Sequence, residues 1–389
     1  MLIPPALSLY VHIPWCIQKC PYCDFNSHEL KATIPEQDYL HALLDDLDAD
    51  ISRYQLTDNP RELHSIFIGG GTPSLISPEG IQWLLNGIEQ RIAFKNDIEI
   101  TMEANPGTIE AKRFAGYKKA GVTRISIGVQ SFEDQKLAKL GRIHGKDEAI
   151  YAANLAHEIG LNSFNLDLMH GLPDQSIEQA LTDLDKAIEL NPPHLSWYQL
   201  TIEPNTVFHY RPPTLPDDDD LWDIFEQGHE KLQAAGYVQY EVSGYSKKGY
   251  QCQHNLNYWR FGDYLGIGCG SHGKLSFANG RIVRTTKIKH PKGYLAAYNN
   301  LVKPYLDNEQ DVPNADRPFE FFMNRFRLLE AFPKQEFIDT TGLPISAIQL
   351  TIDWALERNY LIETVTDWQI TEKGKLFLND LLEAFMPEE

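Results

Sequence analysis

The sequence predicts an α/β protein, a partial (β/α)6 barrel followed by a smaller, mostly helical, winged-helix-like domain. Three observations predict it. Short apolar runs alternate six times with segments of helical apolar spacing. The chain has 389 residues, more than one ordinary compact domain holds. Beyond Pro313 the alternation gives way to consecutive helical patterns.

The apolar runs cover residues 8–13, 64–69, 98–104, 123–128, 165–169 and 195–201. Helical spacing fills 37–54, 78–93, 109–120, 146–159 and 176–190. Repeated strand–helix units imply a parallel sheet with right-handed crossovers, and six units suit a partial barrel better than a closed eightfold one. Pro212, Pro213 and Pro216 end the pattern. The acidic residues Asp217 to Asp220 read as the first turn of a helix over 221–235, where carboxylates favour the helix dipole. One extra strand is expected over 237–245. Residues 247–310, rich in Gly, Tyr, Asn and Trp, read as an irregular bridge carrying ligand-facing loops. Helices are expected at 319–332, 334–341 and 346–359, then a two-strand wing at 360–365 and 368–371, and a last helix from 372. The expected units are residues 1–245, 246–312 and 313–389.

The formal net charge is -19, with 35 basic against 54 acidic side chains. Such a chain is repelled by phosphate backbones, so no nucleic acid is expected as partner, and the winged domain is expected to serve packing or a protein partner. The mean hydropathy of -0.36 is that of a soluble chain, and no apolar run approaches the ~18 residues of a spanning helix. The first residues, Met1 to Pro5, lack the basic and apolar regions of a signal peptide, so a cytoplasmic protein is expected.

Three of the five cysteines, Cys16, Cys20 and Cys23, lie within eight residues, spaced by three residues and then two. In a reducing compartment such a group points to metal. A short loop just after the first strand can wrap three thiolates around an iron–sulfur cube. Zinc is the alternative, with His28 as fourth ligand. Cys252 and Cys269 are candidates for a fourth cluster ligand, or are small buried residues, the reading preferred for Cys269 in its Gly266–Gly270 surroundings. Three ligands leave one iron open. The motif closely resembles that of the radical S-adenosylmethionine superfamily. This resemblance implies a [4Fe–4S] cluster on Cys16, Cys20 and Cys23, with S-adenosyl-L-methionine chelating the fourth iron.

Gly69, Gly70, Gly71 and Thr72 follow the second strand, where glycines let a backbone approach a ligand and present N–H groups to a carboxylate. Glu103 ends the third strand and suits two ribose hydroxyls. Gln130 ends the fourth strand. Arg142 follows in Leu140–His144, and Asp167 lies inside the apolar fifth strand, where a charge is costly unless paired or functional. An Arg142–Asp167 pair would satisfy both residues.

Tyr10–Cys16, the glycine loop, Glu103–Pro106, Gly128–Phe132 and Leu168–Pro173 are similar to the oxygen-independent coproporphyrinogen III oxidase family over almost the whole chain. That resemblance implies S-adenosylmethionine contacts from Tyr10, Tyr22, Gly70, Gly71, Thr72, Glu103, Gln130, Arg142, Asp167 and Thr201. Oxidases of the family carry another cysteine two residues after the third, where Phe25 stands here, and an N-terminal extension ahead of the barrel. Both departures point to the HemW branch, described as haem chaperones. His254-Asn-Leu-Asn-Tyr258-Trp259 resembles the haem-associated motif of that branch. It implies haem contacts from His254, Tyr258 and Trp259, with Cys252 as a second or alternative ligand. A neutral imidazole suits haem iron, and the aromatic rings suit the porphyrin face.

Three functions follow. The first is a haem chaperone that passes haem to an acceptor protein, a membrane-bound enzyme by the resemblance, at the membrane periphery and with a homodimer open to it. The second is an oxidase that decarboxylates the propionates of coproporphyrinogen III. The third is a zinc-bearing interaction module. The absent cysteine and extension favour the first, without oxidase activity.

Overall fold

The computed structural model describes residues 2–31, 33–58, 60–298 and 305–387, without the side chains of residues 108 and 109. Six parallel strands form its centre: β1 (Leu7–Ile13), β2 (Leu63–Gly70), β3 (Phe94–Ala104), β4 (Arg124–Gln130), β5 (Ser163–His170) and β6 (His194–Gln199). They pair in sequence order, each with the next. The crossovers include α1 (Glu36–Arg53), α2 (Pro78–Glu89), α3 (Phe114–Ala120), α4 (Lys146–Glu158) and α5 (Ile177–Glu189), with α6 (Asp218–Ala234) after β6.

Local chemistry sets several boundaries. Ser77 caps α2 by accepting from Gly80 N–H, and Ser176 and Gln179 form a capping box on α5. Asp217 accepts from Asp220 N–H, so the acidic run is the capped start of α6, as its dipole favours. The helix expected over 109–120 is broken into Thr108–Ala111 and α3, and between them Arg113 donates to Ser74 O and Leu75 O. The strand expected over 237–245 is two short ones, β7 (Val238–Gln239) and β8 (Gly244–Ser246), with Glu241 between them bridging to Leu328.

The segment expected to be an irregular bridge differs most. It holds a helix, α7 (Gln253–Trp259), and four strands, β9 (Asp263–Ile267), β10 (His272–Ser276), β11 (Ile282–Lys287) and β12 (Leu306–Asp311). β9 pairs parallel with β1, and β10–β12 continue as an antiparallel meander. The sheet thus has twelve strands in the order β12-β11-β10-β9-β1-β2-β3-β4-β5-β6-β8-β7. Buried ions fix the meander: Lys287 Nζ contacts Asp46 and Asp50 of α1, and Lys274 Nζ sits 3.1 Å from Asp263, which Arg61 also reaches. Polar residues at these positions hide the strand pattern from a hydropathy reading.

The barrel strands alternate. Leu9, Val11, Ile66, Ile68, Ile125, Ile127, Leu166 and Leu168 are fully buried in the main apolar core. Each such burial contributes about 1.5–3 kcal/mol. The intervening residues, among them Ser8, Ser65, Glu103, Ser126 and Asp167, join polar contacts on the opposite face. A parallel sheet is usually apolar on both faces, so this one has a polar lumen.

A second core forms around Phe321, Phe322, Phe326, Phe337 and Trp368, and draws in Leu2 and Phe261. Its helices include Arg317–Arg325, Lys334–Thr341 and Gln349–Glu357. The small sheet has three strands, because Phe332–Pro333 pairs with Asp367–Ile370 beside Leu361–Glu363. Among the described residues no helix is long and apolar enough to cross a membrane.

Candidate cofactor site

The C-terminal ends of the barrel strands surround a cavity of about 610 Å³. Cys16 is buried, while Cys20 and Cys23 are half-buried, and all three line it as free thiols. Their loop is folded by its own contacts. Cys23 N–H donates to Cys20 O at 3.1 Å, and Lys19 Nζ donates to Phe25 O at 3.1 Å and Ser27 O at 3.3 Å. Arg142 Nη1 lies 3.8 Å from Cys20 Sγ. Burial pushes the Cys16 thiol up, against hydrogen bonding from Thr72 that lowers it. Among the described residues no three His, Cys, Asp or Glu side chains converge on one metal ion. His28 turns instead to Asn26 Oδ1 at 3.3 Å and to the His290 ring at 5.3 Å.

The glycine loop lies against the cysteines. A Cβ on Gly71 would stand 2.5 Å from Trp15 O and 3.0 Å from Cys16 Sγ, so only glycine fits there. Gly70 N–H donates to Glu103 Oε2 at 3.0 Å. Burial pushes the Glu103 carboxyl up to about 8, and the neighbouring Asp167 adds to the rise. Burial also raises Asp167, which accepts from Ser126 Oγ at 3.0 Å and Asn165 Nδ2 at 2.7 Å. Gln130 holds a left-handed backbone (φ 68), costly for a non-glycine, and its Oε1 accepts from Tyr198 at 2.9 Å.

The expected Arg142–Asp167 pair does not form. Arg142 leaves the loop after β4 along the rim, where Nη2 donates to Gly128 O at 2.7 Å and Asn105 Oδ1 at 2.8 Å. Asp167 faces the lumen and is satisfied by neutral donors. Tyr22, Gly70, Gly71, Thr72, Glu103, Gln130, Arg142, Asp167 and Thr201 all line the cavity with the cysteines. Thr201 stands at its exposed edge, donating to Glu203 at 2.9 Å. Tyr10 lines the neighbouring cavity and pairs with His12 Nδ1 at 3.0 Å. Asn105, Ser126 and Tyr198 also line the first cavity and escaped the sequence reading. The period-two alternation of polar residues on β4 to β6 was the signal for the last two.

The neighbouring cavity, of about 680 Å³, is lined by Tyr10, His12, Tyr258, Tyr264, His272 and Lys289, and shares Cys23, Phe25, Gly70 and Glu103 with the first. Asn26 joins the cysteine loop to its far wall. Its Nδ2 donates to Cys269 O at 3.0 Å and Lys289 O at 2.9 Å.

The motif carrying His254 lies on α7, which packs against β1, β2 and β3 near their N-terminal ends. His254 is 1% exposed. Its Nδ1 is 2.9 Å from Ser65 Oγ, its Nε2 has no partner, and its ring packs 5.2 Å from Phe67 and 4.8 Å from Tyr258. Burial pushes its imidazole down to about 3, so it is neutral at pH 7. The donor chemistry therefore fits haem iron, but His254 lines neither cavity. Tyr258 faces the cavity lined by Tyr10 and Trp259 that of the three thiols, with the Arg327 guanidinium 4.3 Å over the indole. Cys252 and Cys269 are fully buried away from the three thiols' cavity; Cys252 Sγ donates to Glu99 at 3.4 Å, and Cys269 lies beside Asn26. The donor set of the first cavity, three thiols with one small-residue loop and buried polar groups, fits an iron–sulfur cluster with a bound amino acid.

A six-strand parallel core with a three-cysteine loop after its first strand defines a radical S-adenosylmethionine protein, and the model of the Radical SAM superfamily matches residues 10–184. The HemN C-terminal domain model matches residues 312–377. Relatives narrow the class. The heme chaperone HemW of Haemophilus influenzae is 66% identical over 385 residues, covering 99% of each chain. That of Escherichia coli is 64% identical over 384 residues, again 99% of each chain, and that of Bacillus subtilis is 33% identical over 388 residues, 98% of this chain and 99% of that one. The chain belongs to the HemW family. Coproporphyrinogen III oxidase (HemN) from Escherichia coli, a radical SAM enzyme, shares the fold with a TM-score of 0.82 at 21% identity, over 98% of this chain and 90% of that one.

Proposed function

We propose that the protein is a haem chaperone that holds a [4Fe–4S] cluster and S-adenosyl-L-methionine, binds haem and delivers it to an acceptor protein. One observation carries the cofactor part: three free thiols and nine of the ten expected S-adenosylmethionine contacts face a single cavity. The haem part is supported by relatives named heme chaperones and by the aromatic faces that Tyr258 and Trp259 turn to the cavities.

On this reading Cys16, Cys20 and Cys23 would hold the cluster, and the amine and carboxylate of the methionine moiety would chelate its open iron. Gly70, Gly71 and Thr72 lie along that moiety. Glu103 takes the ribose hydroxyls. Arg142 lies against Cys20, and Gln130, Asp167, Tyr22 and Thr201 complete the wall, with Tyr10 behind it. His254, Tyr258 and Trp259 form the haem segment, and ligation by His254 requires α7 to move off Phe67. The protein acts in the cytoplasm and meets a haem-requiring acceptor at the membrane surface.

Phe25, 58% exposed between the two cavities, stands where oxidases of the wider family carry a cysteine, so oxidase turnover is not expected. The test uses protein purified without oxygen and reconstituted with iron and sulfide. Expected are an iron–sulfur absorbance that Cys20→Ser removes, haem bound stoichiometrically, and no protoporphyrinogen from coproporphyrinogen III with S-adenosylmethionine and a reductant. Protoporphyrinogen formation would instead establish the oxidase.

A further inference from the structure

We infer that the C-terminal domain carries a docking face for a partner protein, whose contacting segment is apolar and bears a carboxylate. The face is a row of rings and cations around Trp354, Arg358, Tyr360, Lys373 and Phe377. None of these residues lines either cofactor cavity, so the face stands apart from the haem reading.

Two stretches of chain build the row. Trp354, on the helix Gln349–Glu357, packs 5.6 Å from the Tyr360 ring at 72°. Phe377, just past the short helix Glu372–Leu376, stacks on Tyr360 at 5.6 Å and 15°. Tyr360 itself is buried in the second core and anchors the row. Gly374 allows the close approach of the two stretches, since a Cβ there would stand 2.1 Å from Tyr360 O.

Two cations lie over the rings. The Arg358 guanidinium is 4.4 Å from the Trp354 centroid, and Lys373 Nζ is 5.3 Å from that of Tyr360. Lys373 Nζ also donates to Arg358 O at 2.9 Å, which ties the two cationic residues together. Glu372, in the same stretch, is already paired with Lys375 at 2.6 Å.

The row is built but uncovered. Phe377 is 44% exposed, and Leu376 beside it in the chain is 59% exposed. The Arg358 guanidinium makes no hydrogen bond or ion pair among the described residues. An arginine held against a ring has its fork preorganised, with N–H edges left for a carboxylate.

Charge selects the occupant. Recognition of anionic lipid takes a cluster of about four to eight Lys or Arg. This face offers two, on a chain of net charge -19 that an anionic bilayer repels at long range. One carboxylate beside an apolar side chain asks only for a cationic fork next to an open ring. The carboxylate of such a segment meets Arg358 and Lys373, and its apolar side chain covers Leu376 and Phe377.

The test titrates the full chain, loaded with its cluster, into a dye-labelled synthetic peptide of alternating Glu and Leu, followed by fluorescence anisotropy. Saturable binding is expected, and the same peptide with Lys in place of Glu is expected not to bind. Arg358→Glu should weaken binding about tenfold and Phe377→Ser about fivefold, with iron–sulfur absorbance and thermal unfolding unchanged. Should Phe377→Ser lower the unfolding temperature, Leu376→Ser, further from the core, gives the same reading. No saturable binding, equal binding of the two peptides, or an affinity unmoved by Arg358→Glu overturns the proposal. Binding to phosphatidylglycerol vesicles that these substitutions abolish would make the face a membrane contact, and overturns it as well.

Discussion

At the N-terminal ends of β1 to β6, polar side chains are tied to one another. Ser8 bonds Ser65, Ser65 bonds His254, Glu99 accepts from Cys252 and from His254 N–H, and His194 lies between Asn165 and Tyr240. At the C-terminal ends the same strands present groups with capacity to spare. Glu103 accepts one backbone N–H, and among the described residues neither it nor Asp167 has an ion-pair partner. A buried polar group is tolerated cheaply only when paired, so the lower end stabilises the barrel and the upper end keeps spare acceptor capacity for a ligand.

Breaking the lower end should cost most in stability. Asn165 donates to Ser126 and Asp167 and accepts from His194, and it is 1% exposed. Asn165→Ala removes one bond from each of those buried partners, and urea denaturation should show a loss of about 3 kcal/mol. A loss under about 0.5 kcal/mol, the size of a surface change, would mean that the network is not cooperative.

Glu103→Gln should act at the upper end in the opposite sense. The folded carboxyl, at about 8, lies above its unfolded value, so the folded chain binds the extra proton. The stability this provides is complete below the unfolded pKa of about 4.3 and is lost as pH rises through about 8. A glutamine side chain cannot ionise, so E103Q should flatten that fall while weakening S-adenosylmethionine binding about tenfold. A parallel pH–stability curve in E103Q would place the titration on another group.

The smallest effect is in protons. Ribose hydroxyls favour the ionised Glu103, so S-adenosylmethionine binding near pH 7 should release a fraction of a proton, and affinity should rise with pH and level above about 8. Calorimetry in two buffers of different ionisation enthalpy reads this directly. Equal heats would mean that Glu103 keeps its proton in the complex.

Cys16, Cys20 and Cys23 and the glycine loop were legible because ligand type and close backbone approach both leave fixed residue spacings. The six strand–helix units were legible for a similar reason, since their outer faces are continuously apolar. β9 to β12 were not, because Lys274, Lys287 and Asp263 sit at buried positions and are stabilised by ion pairs that only the folded chain brings together. Asn105 gave no signal of its own, and its place beside Arg142 depends on how the loop after β3 meets the loop after β4. The Arg142–Asp167 pair was expected because a buried charge needs a partner, but neutral donors on β4 and β5 satisfy Asp167 instead, and residue type alone does not show which donors those are.

Gly270 has a left-handed backbone (φ +76), and a Cβ built on it would stand 2.2 Å from Asn26 Nδ2. That amide is the tie rod between the cysteine loop and the strand ends that carry Cys269 and Lys289. One added methyl at position 270 would push the rod out of both of its sockets. The loop that encircles the cysteines and the wall of the neighbouring cavity would then be free to drift apart, so two adjoining compartments are kept in step by the room left by a single missing carbon.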